Sequence, residues 1–205
     1  MAASEDPPVV SFPDQPAWSD WLAENHATTP GGVWIRFARK AKGLSSLSHD
    51  QALEEALRYG WIDGRTGRGD ATHWLQRFLP RSTRSKWSQV NTAKAEALIA
   101  AGRMTPAGQA EVDRAKADGR WATAYAPPSR AEVPDDLAAA LAADPAARDA
   151  FAALDARNRY AILHRTADAK KPETRAARIA RFVEMLERGE LIHPPTAAKG
   201  RSGNR

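Results

Sequence analysis

The hydrophobic pattern of the chain changes along its length, and this change restricts the folds that the chain can adopt. Val33, Ile35 and Phe37 alternate with other side chains, which indicates a strand with one apolar face. Residues 61–64 and 73–78 predict two further strands, which would pair as an antiparallel ribbon with a basic loop. The later segments carry helix signals. We therefore expect an α+β fold, with a small antiparallel sheet flanked by helices followed by an all-helical C-terminal part.

Capping and proline signals mark the helices. The predicted helices begin near Pro16, Ser48, Asn91, Thr105, Asp144 and Pro172, and one more surrounds Tyr160. Ser48 and Gln51 have the spacing of a capping box, which satisfies two free backbone N–H groups at a helix start. Asn91 is predicted as the N-cap of a helix over 92–101, because its side chain can accept a hydrogen bond from the first turn.

Proline-rich stretches suggest the domain boundaries. The best linker candidate is the Ala-Pro-Pro-Ser segment at 126–129, which separates the mixed part from the helical part. The predicted organisation is a flexible N-terminus (1–12), an α+β domain with a basic, Trp- and Arg-rich ribbon (13–125), a helical domain (126–193) and a flexible basic tail (194–205).

The composition excludes several classes of protein. None of the 205 residues is cysteine, so disulfides, thiolate metal sites and cysteine nucleophiles are excluded, and a reducing cytoplasm is the expected location. The first residues lack the basic and apolar regions of a signal peptide. No apolar run approaches the roughly 20 residues that a membrane helix needs, so we expect no membrane insertion.

The positive charge is concentrated in one segment. Residues 58–88 hold seven basic and two acidic side chains, an excess equal to the net charge of +5 of the whole chain. A second basic run contains Arg36, Arg39, Lys40 and Lys42. Concentrated positive charge attracts phosphates, carboxylates or nucleic acid. An arginine-rich surface without a ligand explains the same charge equally well.

The residues most suited to ligand binding lie between 61 and 91. Arginine side chains recognise carboxylates and phosphates through paired N–H groups, and indole rings stack on planar or cationic groups. Arg77, Arg81 and Arg84 also have no acidic partner nearby in the sequence. The predicted ligand-binding residues are Trp61, Arg65, Trp74, Arg77, Arg81, Ser85, Trp87 and Asn91.

The same segment holds three candidates for catalysis. Asp63 and Asp70, with three glycines between them, would form an acid/base pair if they faced one site across a turn. His73 would act as a general base if either aspartate oriented it. Asx turns are the commoner role of an aspartate beside glycine, and a structural role is commoner for such a histidine.

The sequence gives no sign of a metal or cofactor site. The histidines at 26, 49, 73, 164 and 193 are scattered and lack the spacing of metal ligands. The Gly64-x-x-Gly67-x-Gly69 pattern is similar to a phosphate-binding loop, but it lacks the strand-to-helix context and the Lys that such loops require. We therefore expect neither a metal nor a cofactor.

Several spaced motifs resemble one bacterial family. They are Trp-Ile-Asp-Gly at 61–64, Arg-x-x-Pro-Arg at 77–81, Ser-x-Trp-Ser-x-x-Asn at 85–91, Lys94-Ala95, Gly-Arg-Met at 102–104, and Ala-Lys-Lys-Pro-Glu-Thr-Arg at 169–175 with Arg178-Ile179. This set resembles the YdeI/OmpD-associated family, also labelled bacteriocin-protection, over residues 12–193. The N-terminal half is more loosely similar to the YjbR/CyaY-like group of small α+β domains. The family label implies a protective role.

Three functions follow from these observations. The first is a stress- or bacteriocin-protection protein that binds a small anionic or aromatic ligand between arginines and tryptophans. The second is a nucleic-acid-binding module that uses the ribbon and both basic runs. The third is a hydrolase or transferase that uses Asp63, Asp70 or His73.

Overall fold

The computed structural model describes residues 6–39 and 47–194. Internal contacts divide the chain into an N-terminal unit, Met1–Tyr125, and a C-terminal unit, Ala126–Arg205. Lys40 and Lys42 of the second basic run lie outside the described residues. So do residues 1–5 of the predicted flexible N-terminus and residues 195–205 of the predicted basic tail.

The N-terminal unit contains a four-stranded sheet and four helices. Its elements are β1 (Val9–Val10), α1 (Gln15–Asn25), β2 (Val33–Ala38), α2 (His49–Arg58), β3 (Trp61–Gly67), β4 (His73–Pro80), α3 (Gln89–Ala100) and α4 (Pro106–Ala117). The strand order is β1-β2-β4-β3, and β4 is antiparallel to both β2 and β3. This arrangement confirms the predicted α+β fold. Strand β1, which pairs parallel to β2, is too short to show any periodicity in the sequence.

One face of the sheet packs against α1 and α2. Val33, Ile35 and Phe37 of β2 are buried, as their alternation predicts, and they join one core with residues of both helices. The Trp18 ring of α1 lies 5.9 Å from the Phe78 ring of β4, measured between ring centroids. We call this side of the sheet the helix-facing face. The intervening β2 side chains lie on the opposite, solvent-facing face.

In the N-terminal unit, the helix starts agree with the sequence analysis except at α3. The capping box of Ser48 and Gln51 is present at α2, and Thr105 caps α4. The prediction that Asn91 is an N-cap is wrong, because α3 begins at Gln89, three residues before the predicted start at 92. Ser88 is the N-cap, and its Oγ accepts a hydrogen bond from the backbone N–H of Asn91 at 3.1 Å.

The described part of the C-terminal unit is helical. It contains α5 (Asp135–Ala143), α6 (Pro145–Ala152), α7 (Ala156–Ala167) and α8 (Pro172–Glu187), preceded by a short 3-10 turn, Pro128–Arg130. Its buried core includes Leu137, Leu141, Phe151, Ile162, Leu163, Ile179, Phe182 and Leu186. Helix α5 was not predicted. Its alanine-rich sequence has a high helix propensity, but it shows little of the periodic spacing of apolar residues that indicates a helix.

In the chain between residues 6 and 39 and between 47 and 194, no helix has the length and apolar character to cross a membrane. The cytoplasmic location stays a prediction.

Candidate ligand-binding site

A tryptophan lies against the sheet on its solvent-facing face. Trp34 of β2 is directly opposite Arg77 of β4, and Arg36 is opposite Leu75, so these four side chains share that face. A Cβ atom at Gly67 of β3 would lie 2.7 Å from Trp34 Cζ3 and 3.1 Å from Leu75 Cβ. The indole therefore reaches as far as β3 and occupies the space that a side chain at position 67 would need.

Two arginines lie beside this indole. The Arg65 guanidinium is 5.4 Å from the centroid of the Trp34 ring, a cation–π distance, and the Arg65 side chain is exposed. Arg77 Nη2 donates a hydrogen bond to the Gly31 carbonyl at 2.7 Å, which fixes that side chain next to the loop before β2. The indole thus lies within a group of positive charges.

A cavity of about 340 Å³ opens on the same face. It is lined by Val9, Arg36, Arg68, Gly69, Asp70, His73 and Leu75. Leu75 connects the cavity to the indole, since its Cβ lies near the Trp34 ring at Gly67. Among the residues that the structure describes, Arg65 and Arg68 form no ion pair, whereas Arg36 Nη2 donates to Asp70 Oδ2 at 3.1 Å.

Asp70 is held in a turn and orients Arg36. Its Oδ1 accepts hydrogen bonds from the Thr72 hydroxyl, the Thr72 N–H and the His73 N–H, each at 2.7 Å. The hydroxyl of Thr72, followed by the two backbone N–H groups, holds the pKa of the Asp70 carboxyl far below its usual range. Asp70 is therefore an ionised Asx-turn residue at neutral pH, and this geometry provides no general acid.

Asp63 belongs to a different cluster. Its Oδ2 lies 3.3 Å from His49 Nε2, and the His49 ring lies among Phe37, Trp74 and Phe78 on the helix-facing side. The structure thus separates Asp63 from Asp70, which contacts Arg36 on the opposite face. His73 also lies with Asp70, at 3.7 Å between Nδ1 and Oδ1. The structure therefore brings two of the three catalytic candidates together, Asp70 and His73, and places Asp63 elsewhere.

The predicted ligand-binding residues fall in several places. Arg65 and Arg77 lie on the solvent-facing face. Trp61 is buried in the core and donates its Nε1–H to the His26 carbonyl at 3.2 Å. Trp74 stacks on Phe37 at 4.9 Å between ring centroids.

The remaining predicted residues lie beyond β4. Ser85 Oγ accepts a hydrogen bond from the Ser82 N–H at 3.0 Å, and Asn91 lies in the first turn of α3. Arg81 and Trp87 are buried together, with the guanidinium 3.6 Å from the centroid of the Trp87 ring. These two form a pair separate from the sheet surface.

The sequence analysis did not place Trp34, Arg36 or Arg68 among the ligand-binding residues, although Arg36 and Arg68 belong to the basic runs that it assigned to nucleic-acid binding. The alternation of β2 was a sufficient signal for Trp34 and Arg36, because it already placed them together on the side opposite the apolar residues. Arg68 carried no signal beyond its charge. His49, the partner of Asp63, lies at the start of a helix, and no motif links it to β3.

A larger cavity, of about 520 Å³, lies in the C-terminal unit along α7. Its lining residues are Pro128, Ala156, Arg157, Tyr160, Ala161, His164, Arg165 and His193. The Tyr160 hydroxyl donates to the Ala126 carbonyl at 3.2 Å. Within residues 6–39 and 47–194, no cluster of three metal-binding side chains occurs, here or elsewhere.

Two family models match parts of the chain. Residues 10–111 match a domain of unknown function, DUF8412. Residues 130–189 match the family described as bacteriocin-protection, YdeI or OmpD-associated. The second match supports the resemblance for the C-terminal unit, whereas the similarity to the YjbR/CyaY-like group is not shown. No curated protein and no solved structure matches the chain.

Proposed function

We propose that this is a bacteriocin-protection-type protein of the cytoplasm whose N-terminal unit binds a small anionic ligand that carries a planar group. One observation carries the proposal: the Trp34 indole lies on the open sheet face under Arg65, next to a cavity that Arg36 and Arg68 line. The match of residues 130–189 supports the protective family.

The arrangement suits a ligand with two chemically different ends. A planar ring would stack on Trp34, where Arg65 adds a cation close to the indole. A phosphate or carboxylate would enter the neighbouring cavity, where the Arg36 and Arg68 guanidinium groups provide charged donors. The cavity volume of about 340 Å³ is near the lower end of small-molecule sites. An aryl phosphate or a nucleoside phosphate has this shape and charge.

The hydrolase or transferase hypothesis lacks this kind of support. Its acid/base pair of Asp63 and Asp70 would have to face one reacting group, whereas Asp63 lies beside His49 and Asp70 is held in a turn. Asp70 does lie 3.7 Å from His73, but the oxygen that faces His73 already accepts three hydrogen bonds within the turn. The solvent-facing site provides charge and a flat apolar surface, which are the requirements of binding.

Phenyl phosphate is the probe for this site. We expect isothermal titration calorimetry to show tighter binding of phenyl phosphate than of either inorganic phosphate or benzyl alcohol, because only the first occupies both parts. Arg68→Gln should weaken binding about 10-fold, as expected for the loss of one charged hydrogen bond. Arg68 forms no ion pair with the described residues, so the substitution breaks no salt bridge among them.

Arg84→Gln is the matched control, because Arg84 is an exposed arginine beyond the end of β4. It should bind phenyl phosphate as the wild-type protein does. Equal losses in both variants would show nonspecific attraction to positive charge. Failure of the wild-type protein to bind phenyl phosphate or a nucleoside monophosphate would refute the proposal.

Single-stranded nucleic acid is the second candidate ligand. It is favoured by the arginines that continue beyond the cavity, Arg65 on β3 and Arg77 on β4, because a strand would contact them with successive phosphates. Oligonucleotides of increasing length decide between the two. Affinity that rises with length and falls steeply with salt would replace the small-ligand proposal. We expect instead that a mononucleotide binds as well as a longer strand.

A further inference from the structure

A charged side chain with unused donors is buried in the N-terminal unit. Arg81 follows β4 and is only 5% exposed, and its guanidinium lies 3.6 Å from the centroid of the Trp87 ring. Its Nη1 donates a hydrogen bond to the Lys86 carbonyl at 3.3 Å. Within the described part of the chain, Nε and Nη2 of Arg81 and Nε1 of Trp87 have no hydrogen-bond acceptor, although all three atoms are buried.

The nearby carboxylates are engaged elsewhere. Glu111 and Asp63 attract the Arg81 charge, but Glu111 forms an ion pair with Arg114, and Asp63 lies beside His49. Burial outweighs both attractions and lowers the pKa of Arg81 to about 10, so the group is still a cation at neutral pH. Buried charges are normally paired, and each unsatisfied buried donor is costly. The surroundings of Arg81 are therefore incomplete without an acceptor.

The two unused atoms identify that acceptor. Nε and Nη2 form one edge of the guanidinium, with two parallel N–H groups that match the two oxygens of a carboxylate. Arg175 in the C-terminal unit uses this edge in the same way: its Nε donates to Asp136 Oδ2 and its Nη2 to Asp136 Oδ1. For Arg81, no described residue supplies the corresponding carboxylate.

We propose that the Nε and Nη2 edge of Arg81 binds the carboxylate of a small-molecule ligand inside the N-terminal unit. The Trp87 indole packs under the guanidinium and holds it in plane, and its Nε1–H is a further donor close by. This site shares no residue with the solvent-facing site, so either proposal can fail without the other.

Acetate is the probe, and acetamide is its uncharged counterpart of equal size. In the wild-type protein, we expect acetate to shift the Arg81 Nε–Hε resonance in NMR spectra and to raise the melting temperature, whereas acetamide does neither. Arg81→Lys keeps the charge but lacks the paired edge, so it should bind acetate at least about 10-fold more weakly. Arg84→Lys, which changes an exposed arginine of the same segment, should bind acetate as the wild-type protein does.

The NMR measurement on the wild-type protein remains decisive if Arg81→Lys fails to fold. An Arg81 resonance that acetate leaves unchanged would overturn the proposal and would indicate that water satisfies these donors. An equal response to acetate in Arg81→Lys would also overturn it. If Arg81→Lys also abolished the binding of phenyl phosphate, Arg81 would belong to the solvent-facing site, and the proposal of a separate carboxylate site would be overturned.

Discussion

Replacing Glu55 with alanine is expected to lower the free energy of unfolding of the N-terminal unit by about 3–5 kcal/mol, the usual cost of breaking a buried ion pair. Glu55 lies on α2 and is only 2% exposed. Its Oε1 accepts hydrogen bonds from Gln15 Nε2 at 2.7 Å and from Arg103 Nη2 at 3.3 Å, and its Oε2 accepts from Arg58 Nη1. The alanine variant would remove the carboxylate that these three side chains share.

Urea unfolding followed by tryptophan fluorescence measures this effect, since Trp18 and Trp61 lie in the affected core. The matched control is Glu54→Ala, at the preceding position of α2. Glu54 is more exposed and pairs with Arg103 Nη1 at 2.7 Å, so its loss should cost less than about 1 kcal/mol. Similar losses in the two variants would contradict the central role of Glu55.

The alternation of β2 was enough to predict the framework of the sheet and the position of its two faces. Val33, Ile35 and Phe37 point to the helices, so their neighbours Trp34 and Arg36 point the other way. Caps and glycines located most helices for similar local reasons. The exceptions, β1 and α5, are elements whose short length or alanine-rich sequence carries little periodicity.

The candidate site was harder to predict, because neighbours in the sequence do not remain neighbours in the structure. The segment from Trp61 to Asn91 forms two strands, a loop and the first residues of α3. Successive side chains on a strand point to opposite faces. Arg65 and Arg77 therefore reach the solvent-facing face, while Trp61 enters the core and Arg81 packs against Trp87 beyond β4. Ligand-binding candidates that are close in the sequence therefore lie in separate parts of the structure.

The residues that these candidates contact are distant from them in the sequence. Asp63 meets His49, and the indole that Arg65 approaches is supplied by Trp34. Such pairs depend on strand register and helix packing, which no local motif specifies. The glycine pattern shows the same limit. Gly67 allows the Trp34 ring to approach the strand closely, and Gly69 does the same for the backbone at His73. Neither glycine begins a helix as in a phosphate-binding loop.

Gly67→Ala is expected to weaken phenyl phosphate binding by about 10- to 100-fold, the equivalent of one lost aromatic stacking contact. The added Cβ would lie 2.7 Å from Trp34 Cζ3, which is too close, so the indole must leave its position on β3. Position 67 is at the end of β3 and does not have a positive φ, so the backbone accepts alanine and the fold should remain.

Gly64→Ala is the matched control on the same strand. Its new Cβ would approach Leu79 Cδ2 at 3.0 Å, the flexible end of a side chain, and would not approach the indole. Circular dichroism should show both variants folded, and calorimetry should show normal binding by Gly64→Ala alone. Unchanged binding by Gly67→Ala would mean that the planar group of the ligand does not stack on Trp34. Only the arginine-lined cavity would then remain as the anion site. Alanine adds no charge, so a loss of binding would arise from displacement of the apolar side chains of Trp34 and Leu75 and not from a change in the arginines around them.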